Sequence, residues 1–277
     1  MKRWITITAA AVLVPLGGTA YAAPPAPKPA ASVTATPAPV AALDAQFAKS
    51  AGVRFSETVT SGFATKRGLK SQAVYKASGV VGLTKTGVSA SDSTLAFDIP
   101  GSGKTTFRTI LVDGTAYLRG SLFAELLPTN VEWVSTPVEG LSVNLWSNSA
   151  VDLLAPGTLK SLLAKAKFDK KTSSYSGTIP LGKALSPQAN LPLTKSVLST
   201  TKIDWKLWVG KDHLPKRLKT SMTLIVDKKL GNLVNTSDIH FRGWGTPVSI
   251  TAPPAHLVSS IDDLAELPLP PGPLDRL

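Results

Sequence analysis

Polar and apolar residues alternate through most of this chain, and the places where the alternation fails divide it into elements. VRFSETVTSG puts Val53, Phe55 and Val59 on one face and Arg54, Ser56, Thr58 and Thr60 on the other, a period of two that predicts a strand. SQAVYKASGVVGL, STLAFDIP, FRTILVDG and TAYLRG continue in the same manner, each broken by Gly, Asp, Ser or Pro. The second half resumes with SSYSGTIP, TKIDWKLWVG, LPKRLKTSMTLIV, SDIHFRGWG and PVSITAPPA. Around KDHLP, Ile203, Trp205, Leu207 and Val209 alternate on one arm of a predicted hairpin, and Leu218, Met222, Leu224 and Val226 on the other. Strands in direct succession with turn-rich joins predict antiparallel meanders.

A helical period is confined to a few places. AALDAQFAKSAG spaces Leu43, Phe47 and Ser50 by three to four residues before Gly52, which predicts a short amphipathic helix. SLFAELLP predicts a second. SAVDLLAPGTLKSLLAKAKF predicts a third, with Leu159, Leu162 and Leu163 on one side. A sheet this large must cover its apolar face or curl around it, and these few helices are the available cover. The expected fold class is therefore α+β: a strongly curved antiparallel half-barrel sheet with helices over its concave face.

The ends have a different composition. Lys2 and Arg3, a largely apolar run from Trp4 to Leu16, and Ala20-Tyr21-Ala22 form the pattern of a secretory signal, expected over 1–22. Residues 23–40, APPAPKPAASVTATPAPV, read as an extended Pro/Ala-rich linker, and 268–277 as a Pro-rich tail. One domain, 41–267, is expected between them. The chain has no Cys, so it offers no thiolate metal site and no residue to carry acyl chains after the signal. The net charge is +12, and +10 once Lys2 and Arg3 are removed, which favours anionic partners such as an anionic envelope surface. No basic helix or aromatic-basic motif points to nucleic acid. The expected location is outside the cytoplasm, with neither lipid anchor nor transmembrane helix in the mature chain.

The stretch most suggestive of chemistry is PGSGKTTF, 100–107. A phosphate-binding loop would need Gly at position 98, where Asp98 stands, and a helix after Lys104, where TTFRTILVDG alternates as a strand. The stretch reads as a hairpin loop, with no nucleotide site. His213, His240 and His256 share no metal-ligand spacing, and no G-x-S-x-G elbow occurs. Asp262, Asp263 and Glu266 read as a solvated helix face. Lys216, Arg217 and Lys219 read first as guards of a sheet edge and second as a patch for anionic headgroups. Neither a catalytic set, a metal site nor a cofactor is expected.

Several of these segments, taken in order, resemble a known family. They are AALDAQFAKSAGVRF, VDGTAYLRG at 112–120, VDLLAPGTLKSLLAKA, IDWKLWVGKDHLPKRLKTSMTL and FRGWGTPVSITAPPA. Together they are similar to the LppX/LprG family of actinobacterial envelope lipoproteins, which share a fold with the LolA lipoprotein carriers. The family's lipidated Cys is absent here. The resemblance implies a half-open barrel around an apolar cavity, and a non-enzymatic protein that binds or carries an acylated lipid or glycolipid. A diffuse apolar lining would then do the binding: Phe55, Val59, Phe97, Phe107, Leu207, Met222, Leu224 and Phe241 from the sheet, with Leu159, Leu162 and Leu163 from the helical cover. Two other readings stand beside it, an envelope sensory module that docks a partner protein and a wall-associated enzyme.

Overall fold

The alternating stretches fold as strands, and nearly all of them join one sheet. The computed structural model describes residues 37–65, 68–99, 103–124, 127–138, 146–147, 149–184, 195–227 and 231–265, all within one unit, Thr36–Leu277. The expected signal (1–22), most of the linker and the 268–277 tail lie outside the described residues. In chain order the elements are α1 (Ala38–Ala48), β1 (Gly52–Thr65), β2 (Gly68–Thr84), β3 (Gly87–Ile99), β4 (Gly103–Val112), β5 (Thr115–Gly120), α2 (Ser121–Ala124) and β6 (Trp133–Pro137). They continue with α3 (Thr158–Leu163), β7 (Lys167–Asp169), β8 (Ser174–Pro180), α4 (Leu181–Ala184), α5 (Lys195–Thr200), β9 (Lys202–Val209), β10 (Pro215–Asp227), β11 (Gly231–Thr246), β12 (Val258–Ser260) and α6 (Ile261–Ala265).

The sheet runs β12-β6-β5-β4-β3-β2-β1-β11-β10-β9-β8-β7, open at β12 and β7. It is antiparallel apart from β12 against β6. Two meanders, β1 to β6 and β7 to β11, meet where β1 pairs with β11 from Arg54↔Arg242 to Ala64↔Asn232. Turn chemistry sets the hairpins. Between β4 and β5, Asp113 and Gly114 both take positive φ, 50° and 72°, as a two-residue turn matched to strand twist requires. In the β9–β10 turn Asp212 Oδ1 accepts the Leu214 amide at 3.1 Å.

Three expectations change. PVSITAPPA forms no strand, since Pro247, Pro253 and Pro254 cannot donate to a ladder. The first helix starts at Ala38 and buries Pro39 and Val40, so it takes up the last residues read as linker. Lys216, Arg217 and Lys219 guard no edge, because β10 lies between β9 and β11.

Register gives the sheet two distinct faces. Residues directly paired share a face, so Val53, Phe55, Glu57 and Val59 of β1 lie with Val81, Gly79, Ala77 and Tyr75 of β2. With them lie Phe241, Ile239 and Ser237 of β11, Leu218 and Thr220 of β10, and Leu207 and Trp205 of β9. This inner face carries the core. Val40, Leu43 and Phe47 of α1, Leu159, Leu162 and Leu163 of α3, and Leu181 and Ala184 of α4 bury against it. The irregular run 146–157 contributes as much, through Trp146, Val151, Leu153 and Leu154. Local side-chain bonds order that run without a helix. The Ser149 amide donates to Ser147 Oγ, the Val151 amide to Ser149 Oγ and the Leu154 amide to Asp152 Oδ1, at 3.0, 3.2 and 3.1 Å. The cover is thus part helix and part pinned loop.

Candidate functional site

Alternation alone places every predicted strand residue of the lining on this inner face. Phe55 pairs with Phe241, Val59 with Tyr75 and Tyr75 with Phe97. Phe107 joins through Leu95, Leu207 through Leu218, Met222 through Asn235 and Leu224 through Leu233. The eleven predicted residues nevertheless divide into two environments. Phe55, Val59, Leu207, Phe241, Leu159, Leu162 and Leu163 are buried, Leu207 completely. All but Val59 belong to one core cluster. Phe97, Phe107, Met222 and Leu224 are only half-buried.

The division follows the strand axis. At the end where β1 begins, the face lies under α1, α3 and the 146–157 run. Phe55 meets Trp146 edge-on at 5.3 Å there, and Trp146 lies 6.3 Å from Phe241. Toward the end where β1 finishes, the side chains are half-buried: Tyr75, Phe97 and Phe107 in one meander, Phe63, Leu233, Met222 and Leu224 across the β1–β11 junction. Tyr75 and Phe97 lie 5.6 Å apart, and Phe97 and Phe107 stack 5.8 Å apart at 4°. Gly120 makes room for the last ring, since a Cβ there would stand 2.7 Å from Phe107. From β4 to β10 this band crosses five strand intervals, about 24 Å at the usual spacing.

Between the two ends lies a residue that the apolar reading passed over. Glu57 is 3% exposed, in the centre of the inner face. Ser237 Oγ donates to its Oε1 at 2.7 Å and Ser147 Oγ to its Oε2 at 3.2 Å. The first bond crosses the β1–β11 junction and the second ties the covering run to the sheet. Its parity with Phe55 and Val59 was the available signal. A second acid, Asp152, sits in the cover. Burial pushes its carboxyl up to about 6, against the pull of hydrogen bonds from the Leu154 and Ala155 amides and from Trp146.

The outer face is largely polar and basic, with Ile110 and Trp133 buried on it toward β4 and β6, where Arg108 and Arg119 lie over the Trp133 ring. Arg217 lies 4.8 Å from the Trp208 ring centre and holds Asp238 through two bonds of 2.8 and 2.5 Å. Those bonds keep the Asp238 carboxyl below the usual range. Where β11 passes the β9–β10 turn, a groove of about 700 Å³ opens at the end of the sheet, lined by Ser56, Asp212, Lys216, His240 and Arg242, by Phe241 of the inner face, and by Gly243 and Trp244. Of the three predicted patch residues, then, Lys216 borders a groove, Arg217 is ion-paired and Lys219 faces Lys206. Lys104 pairs with Asp98 inside the β3–β4 ladder, so the strand expected after GSGKTT is present and no helix follows the lysine. Residues 100–102 lie outside the described residues. His213 occupies the β9–β10 turn with φ of 61°, while His240 lies 3.3 Å from Asp238. Among the described residues no group of three His, Asp or Glu side chains could hold a metal. No helix among them is long and apolar enough to cross a membrane. Asp263 caps α6: Ser260 Oγ accepts its amide, and its carboxylate accepts the Ser260 amide.

No family model and no curated protein matches the chain. Among solved structures it is similar to a LolA superfamily protein from Nitrosomonas europaea, with 11% identity, 78% of this chain and 95% of that chain covered, and a TM-score of 0.32. It is also similar to a DUF1329 family protein from Desulfovibrio piger, with 13% identity, the same coverage and a TM-score of 0.29.

Proposed function

We propose that this is an exported, non-enzymatic lipid-binding or lipid-carrier protein of the cell envelope, which lays acyl chains along the half-buried end of its inner face. The observation that supports the reading is the band of Tyr75, Phe97, Phe107, Met222 and Leu224, held on the core-bearing face of the sheet yet short of full burial. Each methylene removed from water against such a band contributes about 0.8 kcal/mol, so a long acyl chain needs few specific contacts. Among the described residues, the inner-face positions that strand pairing assigns on β1, β2, β4, β9, β10 and β11 hold no Lys or Arg that would oppose hydrocarbon. In this reading the sheet works as the half-barrel that the sequence resemblance implies. The sealed half, with Phe55 and Leu207, supplies rigidity and the open half supplies the binding surface.

The test is uptake of a fluorescent acyl probe by the delipidated full chain, beside native mass spectrometry of protein purified from its own host. Saturable uptake, weakened about tenfold by Phe97→Ala with Phe107→Ala, is expected, together with adducts of lipid mass. A folded protein that takes up no probe and carries no adduct sinks the proposal.

A further inference from the structure

The outer face holds cations in an arrangement that folding alone disfavours. Three directly opposed pairs across the sheet carry like charge: Arg54↔Arg242 between β1 and β11, Arg108↔Arg119 between β4 and β5, and Lys206↔Lys219 between β9 and β10. Like charges directly opposite one another weaken a sheet. The second pair is offset, because Arg108 binds Asp92 and Arg119 binds Glu132, both at 2.8 Å. Arg54 and Arg242 have no acidic partner among the described residues, and Lys216 stands with Arg242 at the groove. Of the nearby acids, Asp238 holds Arg217, and Asp212, at the groove beside the turn, accepts the Leu214 amide and sets one negative charge against the two cations Lys216 and Arg242 there.

The two pairs without such compensation lie between β1 and β9, three strand intervals or about 14 Å across the sheet, more than one small anion spans. The same face also exposes apolar side chains. Ile225 is 78% exposed and Val74 41%, each on the outer side by register with Asn232 and Thr60. Isolated apolar side chains among cations gain from the boundary between headgroups and acyl chains, and gain nothing from a hydrated polyanion.

We propose that the outer face is a docking surface for an anionic phospholipid bilayer, with the groove beside Arg242 and Lys216 seating one phosphate headgroup. The groove lies at the end of the sheet away from the acyl band, shares no residue with it and does not depend on it. Binding draws on the summed charge of the face and weakens as salt rises, because screening acts within about 8 Å at physiological ionic strength.

The test is co-sedimentation of the full chain with vesicles of phosphatidylcholine alone and of phosphatidylcholine with phosphatidylglycerol at about 2:1, where each basic residue near the surface adds measurably to partition. The triple variant Arg54→Gln, Arg242→Gln, Lys216→Gln is compared with Lys160→Gln, Lys165→Gln, Lys183→Gln, which removes the same charge from exposed positions in and beside α3 and α4. The first variant is expected to lose partition to the anionic vesicles by about tenfold or more, and the second to stay within about twofold. Melting of the first variant at or above the wild-type temperature is expected, because the opposed Arg pair is gone. Equal loss in both variants, or none in the first, overturns the proposal. So does wild-type binding to heparin as tight as to the anionic vesicles, or saturable binding of inorganic phosphate without vesicle binding. Uptake of the acyl probe by the first variant stays at the wild-type level, which separates failure here from failure of the acyl reading.

Discussion

The two ends of the inner face are built from the same strands and the same kinds of side chain, yet one is core and the other is surface. Phe55 and Phe97 make the point. Both are phenylalanines on the inner side of long interior strands. Phe55 lies under Trp146 and is 1% exposed, whereas Phe97 stacks on Phe107 and stays half-buried. What separates them is the cover: α1, α3 and the pinned 146–157 run pack above Phe55. In this fold the protein's own cover seals one length of the inner face and leaves another half-buried.

The most severe way to break that comparison is to truncate one ring at each end. Phe55→Ala should cost about 3–5 kcal/mol in urea unfolding, and Phe97→Ala about 1 kcal/mol or less, since a half-buried ring has less to lose. Equal costs would mean that both ends are core. The boundary residue comes next. Glu57→Ala leaves the Ser147 and Ser237 hydroxyls without their acceptor inside the protein, and should cost about 1–3 kcal/mol. Hydrogen exchange should then rise first in 146–157, if the Ser147 bond secures the cover. The last probe is pH. Asp152 holds its proton in the folded chain up to about 6, against an ordinary value of 3.8. Between those values the folded state binds more protons than the unfolded one, so stability falls as pH rises through the window and is highest below it. The effect should be on the order of 3 kcal/mol, and Asp152→Asn should abolish it in denaturation curves measured across the window.

Much of the sheet was legible, because alternation is a local property. VRFSETVTSG and the arms around KDHLP have only one parity that buries their apolar residues, and the register follows it. Asp-Gly at 113–114 gave the β4–β5 turn for an equally local reason. The helical part of the cover was legible in the spacing of Leu43 and Phe47 and of Leu159, Leu162 and Leu163, but the irregular part was not, because Ser147, Ser149 and Asp152 order it through bonds to their own backbone, and such a run has no period. Nor could the chain reveal which of the eleven lining candidates would be sealed, since that depends on docking between segments far apart in sequence. Glu57 escaped for a different reason. A search for apolar residues skips a carboxylate even when its position in the strand sends it inward. The opposed cations needed register between strands as distant as β1 and β11, which composition and net charge do not contain.

The junction of β1 with β11 has a consequence for how the molecule is made. Glu57 meets Ser237 across 180 residues of sequence. At ordinary synthesis rates of about 5–20 residues per second, the second strand arrives roughly 10 to 40 s after the first. During that delay β2 can zip onto one side of β1, while the other side keeps its amides and carbonyls open to any passing strand. The nascent half-sheet is therefore exposed to aggregation or to capture by a chaperone until β11 is made and the ladder at the middle can close.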